Sequence, residues 1–131
     1  MQAADWLPLL FEIADRSDAI ARRLFRSADL YVEAKPDRSL VSEADREIER
    51  AAAALLSERR PELGIFGEED GERAGSEGAR LIIDPIDATA NFVRGVPVFA
   101  TLLALEADGE VVAGVVSAPA LAGLKSSSLP L

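Results

Sequence analysis

Leu81-Ile82-Ile83-Asp84-Pro85-Ile86-Asp87-Ala88-Thr89-Ala90-Asn91-Phe92 is the stretch on which the fold of this 131-residue chain turns. Its apolar opening reads as a buried strand that ends in a carboxylate, Asp84. Pro85 has no N–H to give a sheet ladder and is expected to stop the strand there. A second carboxylate, Asp87, follows, and Thr89 opens a short helix. Neighbouring carboxylates repel unless one is protonated or a cation lies between them. A helix start offers free N–H groups and a positive dipole end to an anion. The pattern therefore suits cations beside a phosphate, and a strand ending in a plain polar turn fits the same spacing.

Working outward, Gly64-Ile65-Phe66-Gly67 reads as another short strand, running into Glu68-Glu69-Asp70. Glu68 stands at its strand end as Asp84 does. If the strands are sheet neighbours, the two carboxylates form one acidic pocket. Gly67 to Gly78 is Gly-rich and acidic and is expected to be a solvated loop. Upstream, Ser42-Glu43-Ala44-Asp45 reads as a helix start with Ser42 as cap and Asp45 in the first turn. Ile48, Ala52, Leu55 and Leu56 continue the apolar face, and Pro61 marks the stop. Residues 3 to about 28 form an earlier amphipathic helix, with Trp6, Leu9, Leu10, Ile13, Ile20, Leu24 and Phe25 on its apolar stripe.

Downstream, Asn91 to Arg94 completes the short helix, which Gly95 and Pro97 end. Val98–Glu106 and Val111–Ser117 are β-rich runs around Asp108-Gly109, a strong hairpin signal. The order predicts an α+β fold in which two helices pack on a mostly antiparallel sheet. Residues 122–131 show no period and carry a Ser run, so a disordered tail is expected, leaving an open sheet edge near Ala118.

Composition narrows the chemistry. The chain has no His and no Cys, which removes imidazole acid–base catalysis, thiol nucleophiles and His/Cys zinc sites. Hydrolysis must then rest on carboxylates, hydroxyls and hard cations. A net charge of -9 argues against nucleic acid or an anionic membrane as partner. Met1-Gln2-Ala3-Ala4-Asp5 lacks the basic start of a signal peptide, and the apolar run from Val96 to Leu105 is too short for a bilayer span. A cytoplasmic location is the expectation.

Gly67-Glu68-Glu69 followed by Ile83-Asp84-Pro85-Ile86-Asp87-Ala88-Thr89-Ala90-Asn91-Phe92 resembles the paired signature of the inositol monophosphatase family. Lys35-Pro36-Asp37 and Val41-Ser42-Glu43-Ala44-Asp45 resemble its upstream motif. Asn91-Phe92-Val93-Arg94-Gly95-Val96-Pro97-Val98 and Val115-Val116-Ser117-Ala118-Pro119-Ala120 look most like the histidinol-phosphatase branch. The resemblance implies the N-terminal half, residues 1–121, of a layered αβαβα fold, and a Mg²⁺-dependent phosphomonoesterase. It implies two or three Mg²⁺ ions in full-length members, with Mn²⁺ able to replace them, and a homodimer of the full-length protein. The substrate implied is a small phosphorylated metabolite, first L-histidinol phosphate and alternatively inositol 1-phosphate. A catalytically inactive remnant that binds or regulates a partner is a further alternative.

Carried over by residue, the family pattern makes Glu68, Asp84 and the Ile86 carbonyl ligands of one Mg²⁺, and Asp84 with Asp87 ligands of a second. Thr89, paired with Asp45, would orient and help deprotonate the attacking water, with Glu68 also catalytic. The N–H groups of Ala88 and Thr89 would hold the phosphate. The chain departs from the pattern in two ways. The family has Gly at Ala88, where a positive φ would cost an alanine about 1–2 kcal/mol. Family members are also much longer, and their C-terminal half supplies a further aspartate.

Overall fold

The computed structural model describes residues 3–76 and 78–129. Met1, Gln2 and the last two residues of the expected tail lie outside them. A 3-10 turn, Ala3–Trp6, leads into helix α1, Leu7–Leu24, with Pro8 in its first turn, where a missing N–H is harmless. Leu10, Ile13, Ala14, Ala21 and Leu24 line its buried face. Strands β1, Val32–Ala34, and β2, Leu40–Ser42, form a separate antiparallel pair around the turn at Lys35–Ser39. Helix α2, Glu43–Arg59, starts with the expected cap, and it is a full capping box. Ser42 Oγ accepts from Asp45 N, and Asp45 Oδ2 accepts from Ser42 N at 2.8 Å.

The main sheet has six strands in the order β4-β3-β5-β6-β7-β8. They are β3 (Gly64–Gly67), β4 (Gly71–Arg73), β5 (Ala79–Asp87), β6 (Ala100–Ala107), β7 (Glu110–Ala118) and β8 (Leu124–Ser128). Among the described residues only β3 and β5 run parallel; every other adjacent pair is antiparallel. This is the α+β arrangement predicted. Leu81, Ile83, Leu103, Leu105, Ala113 and Val115 share one core with the buried faces of α1 and α2. Asp108 and Gly109 both have positive φ, as the Asp-Gly hairpin signal requires.

Three expectations need correction. Pro85 does not end its strand: β5 runs on to Asp87, with a register shift between Asp84 and Asp87 against β6. A bulge is where a residue lacking an N–H costs the ladder nothing, and the Pro85 carbonyl is still used, accepting from Thr101 Oγ1 at 2.8 Å. The loop from Gly67 to Gly78 contains β4, whose three residues are all exposed; it pairs along the edge of β3 without an apolar face to announce it.

The third correction concerns the tail. Leu124–Ser128 is strand β8, hydrogen-bonded along β7, so β7 is not an open edge. Lys125 explains the docking: its Nζ reaches Asp15 Oδ1 at 2.7 Å and Asp18 Oδ2 at 3.0 Å on α1. Asp18 is buried, and its other oxygen accepts from Ser117 Oγ at 2.7 Å. Paired and hydrogen-bonded, the aspartate is tolerated in the core.

Helix α3, Thr89–Val93, is too short to stand alone and is pinned by aromatic rings. Phe92 meets Phe99 edge to face at 4.9 Å between centroids, and Phe25, just past α1, lies 5.6 Å from Phe92. Arg26 closes the far end, donating from Nε (3.1 Å) and Nη2 (2.9 Å) to the Gly95 carbonyl.

Candidate active site

Parallel neighbours end at the same side of a sheet, and this places the first two carboxylates. The β3–β5 ladder closes with Gly67 opposite Ile83, so Glu68 and Asp84 leave it side by side. Asp84 is half-buried, and among the described residues no group donates a hydrogen bond to its Oδ1. Burial first, then the Glu68 carboxylate, then the charges of Asp87 and Asp45 push its pKa up to about 7. A carboxylate in that state accepts either a proton or a cation readily.

Beyond the bulge, Asp87 is exposed. Ala88 caps α3 with φ 69° and ψ 52°, in the left-handed region. This is the geometry in which glycine is free and alanine is strained. The α3 ladder begins with Asn91 N and Phe92 N donating to the Ala88 carbonyl, so Ala88 and Thr89 sit before its first bonded N–H.

Thr89 Oγ1 lies 2.9 Å from Asp45 Oδ1 and 3.0 Å from the Ile86 carbonyl. Asp45 is 1% exposed. Burial raises its pKa, opposed by hydrogen bonds from Ser42 and Thr89. Sequence alone supports Asp45 as a helix cap; the structure shows it capping with one oxygen and holding Thr89 with the other.

Lys35, from the β1–β2 turn, reaches Glu69 Oε1 at 2.8 Å, and its pKa is raised chiefly by that bond. A cleft of about 520 Å³ is lined by Glu68, Asp84, Asp87, Thr89, Arg38 and Arg94 among others. Arg38 and Glu49 were not singled out in the sequence. Glu49 is a buried carboxylate on α2, one helical turn beyond Asp45. A charged residue four positions after a site residue, on an otherwise apolar face, was the available signal.

No three acidic side chains among the described residues form a ready-made metal cage. The fit to Mg²⁺ rests on a different feature. That ion takes one or two carboxylates and fills its remaining positions with water and phosphate oxygens. Adjacent Glu68 and Asp84, with a buried oxygen that nothing satisfies, meet that requirement.

Comparison with known proteins gives the family. The chain is 48% identical over 117 residues to a histidinol-phosphatase of Mycobacterium tuberculosis, covering 89% of this chain and 45% of that protein. It is 44% identical over 103 residues to an inositol-1-monophosphatase of Rhizobium meliloti, covering 78% of this chain and 39% of the relative. The solved extragenic suppressor protein suhB of Bartonella henselae superposes with TM-score 0.89 at 33% identity, over 94% of this chain and 48% of that one. The chain thus spans less than half the length of each. A sequence profile described as the inositol monophosphatase family matches residues 3–129, past the break at Ala122 that the sequence suggested, and the chain belongs to that family.

Proposed function

We propose that this chain carries the metal-binding and water-activating half of a Mg²⁺-dependent phosphomonoesterase whose whole form hydrolyses a small phosphate ester, L-histidinol phosphate foremost. The observation that carries the reading is the buried, unsatisfied Asp84 Oδ1 beside Glu68 at neighbouring strand ends. Glu68, Asp84 and the Ile86 carbonyl would hold one ion, and Asp84 with Asp87 would hold a second. Bound Mg²⁺ supplies charge neutralisation at the phosphoryl oxygens and a more acidic water.

The chain's own groups supply the rest. The Thr89 hydroxyl, held between Asp45 and the Ile86 carbonyl, offers its free lone pair to the attacking water and fixes its direction. Asp45, whose affinity for a proton is raised by burial, is the acceptor toward which that proton moves. The N–H groups of Ala88 and Thr89 bind phosphate oxygens at the left-handed turn. The histidinol assignment follows the 48% identical relative. A cationic amine also suits a chain of net charge -9 better than neutral inositol does.

Mn²⁺ or Mg²⁺ titration by calorimetry tests the site. Asp84→Asn is expected to abolish binding and Asp87→Asn to spare one ion; equal losses contradict the assignment. The isolated chain is expected to be a poor phosphatase, because the aspartate of the C-terminal half is missing. Turnover on histidinol phosphate of ~1 s⁻¹ or above would overturn that. Substrate choice is read from a chimera that adds the C-terminal half of a relative and carries Ala88→Gly. Its kcat/KM is expected to favour histidinol phosphate over inositol 1-phosphate by about tenfold, or ~1.4 kcal/mol of differential transition-state binding.

A further inference from the structure

Glu49 is almost wholly buried, yet it is used neither by the core nor by the chemistry above. Its Oε1 accepts from Glu69 N at 3.0 Å and its Oε2 accepts from Asp70 N. Both N–H groups belong to the turn that immediately follows Glu68. The carboxylate reaches them by passing over Gly67, where any Cβ would overlap it. The glycine at the end of β3 is therefore space made for a side chain from α2.

The placement has a geometric consequence. Asp45 and Glu49 are four residues apart on one face of α2, about 6 Å along its axis. Asp45 holds Thr89 after β5, and Glu49 holds the turn after β3. One rigid helix thus sets the distance between the two sides of the cleft.

We propose that Glu49 is a positioning residue that grips the Glu69–Asp70 backbone so that Glu68 stays beside Asp84, an inference that uses the metal reading above for its functional meaning. A carboxylate gripping two consecutive N–H groups fixes the backbone of a turn that otherwise rests on short, exposed β4 and on the side-chain pair Lys35–Glu69. Glutamine cannot reproduce the grip, since its NH₂ end would face an N–H donor. Aspartate keeps the acceptors but falls one methylene short.

The test uses the full chain as Glu49→Gln and Glu49→Asp, with Glu58→Gln, an exposed glutamate near the far end of the same helix, as control. Amide hydrogen exchange is read first. Glu69 and Asp70 are expected to exchange at least tenfold faster in Glu49→Gln while Leu103 and Leu105 keep their protection. The Mn²⁺ dissociation constant is expected to rise about tenfold in Glu49→Gln and less in Glu49→Asp, with no change in Glu58→Gln. If Glu49→Gln does not fold, Glu49→Asp is read by the same two measurements. Unchanged exchange at Glu69 and Asp70 overturns the proposal, as does unchanged Mn²⁺ affinity where the parent binds Mn²⁺. A parent that binds no Mn²⁺ removes the metal reading instead, and the grip is then decided by exchange alone.

Discussion

Replacing Ala88 by glycine should stabilise the chain, against the usual direction of such a change. Ala88 holds φ 69° and ψ 52°, and an L-residue with a Cβ pays about 1–2 kcal/mol in that region. Its side chain is exposed, so the methyl gives back little burial. Glycine removes the strain but gives the unfolded chain more freedom, a loss of about 0.4–1 kcal/mol. The balance is a gain of about 0.5–1 kcal/mol, which for a domain of this size moves Tm up by about 2–5 °C. Thermal unfolding by circular dichroism measures it. Ala90→Gly serves as comparison: it is equally exposed but inside α3, with no positive φ to relieve. It should destabilise by about 0.5–1 kcal/mol. A Tm for Ala88→Gly at or below the parent's would refute the reasoning, because strain at that backbone position would then not be limiting.

Other perturbations test the remaining supports. In EDTA, stability should fall as pH rises from 3.8 toward about 7, since the folded chain binds the Asp84 proton more tightly than the unfolded chain does. Asp45 and Glu49, raised by burial, act in the same direction. Urea midpoints across that range should slope less in Asp84→Asn. Asp45→Ala removes the capping acceptor and the Thr89 partner together, and should cost about 1–3 kcal/mol by urea unfolding. Lys125→Met strands a buried Asp18, and exchange along β8 should quicken well before that of β5; equal protection in both strands would show that the ion pair does not hold β8.

Much of the site was legible because each part obeys a local rule. Strand-end carboxylates are visible as apolar runs that stop at an acid, and Ser42 with Asp45 announces a cap by spacing alone. The glycine that the family carries at position 88 marks a place where either a positive φ or a close approach would strain an alanine, and the backbone shows the positive φ. What escaped the sequence depends on partners distant along the chain. Pro85 forbids a ladder bond but not a bulge, and only the pairing with β6 decides between them. Strand β4 has no buried face, and β8 is a Ser-rich run that becomes a strand through Lys125 and the edge of β7. Glu49 looks like helix polarity until the turn it grips is in place.

The lock between Lys125 and α1 also bears on the order in which the chain can fold. The Lys125–Asp15 bond joins positions 110 residues apart, and the Asp18–Ser117 bond spans 99. Helix α1 meets Arg59 through Glu12 as soon as α2 is present, but Asp15 and Asp18 find their partners only once β7 and β8 are in place. During synthesis Asp18 must therefore remain in water while α2, β3 and β5 assemble. Contacts of such long range are the ones that slow folding, so closure of α1 onto β7 and β8 is the expected late, rate-limiting event. A nascent chain halted before Lys125 would have α1 held to α2 through Glu12 and Arg59, with Asp15 and the second oxygen of Asp18 still without their lysine.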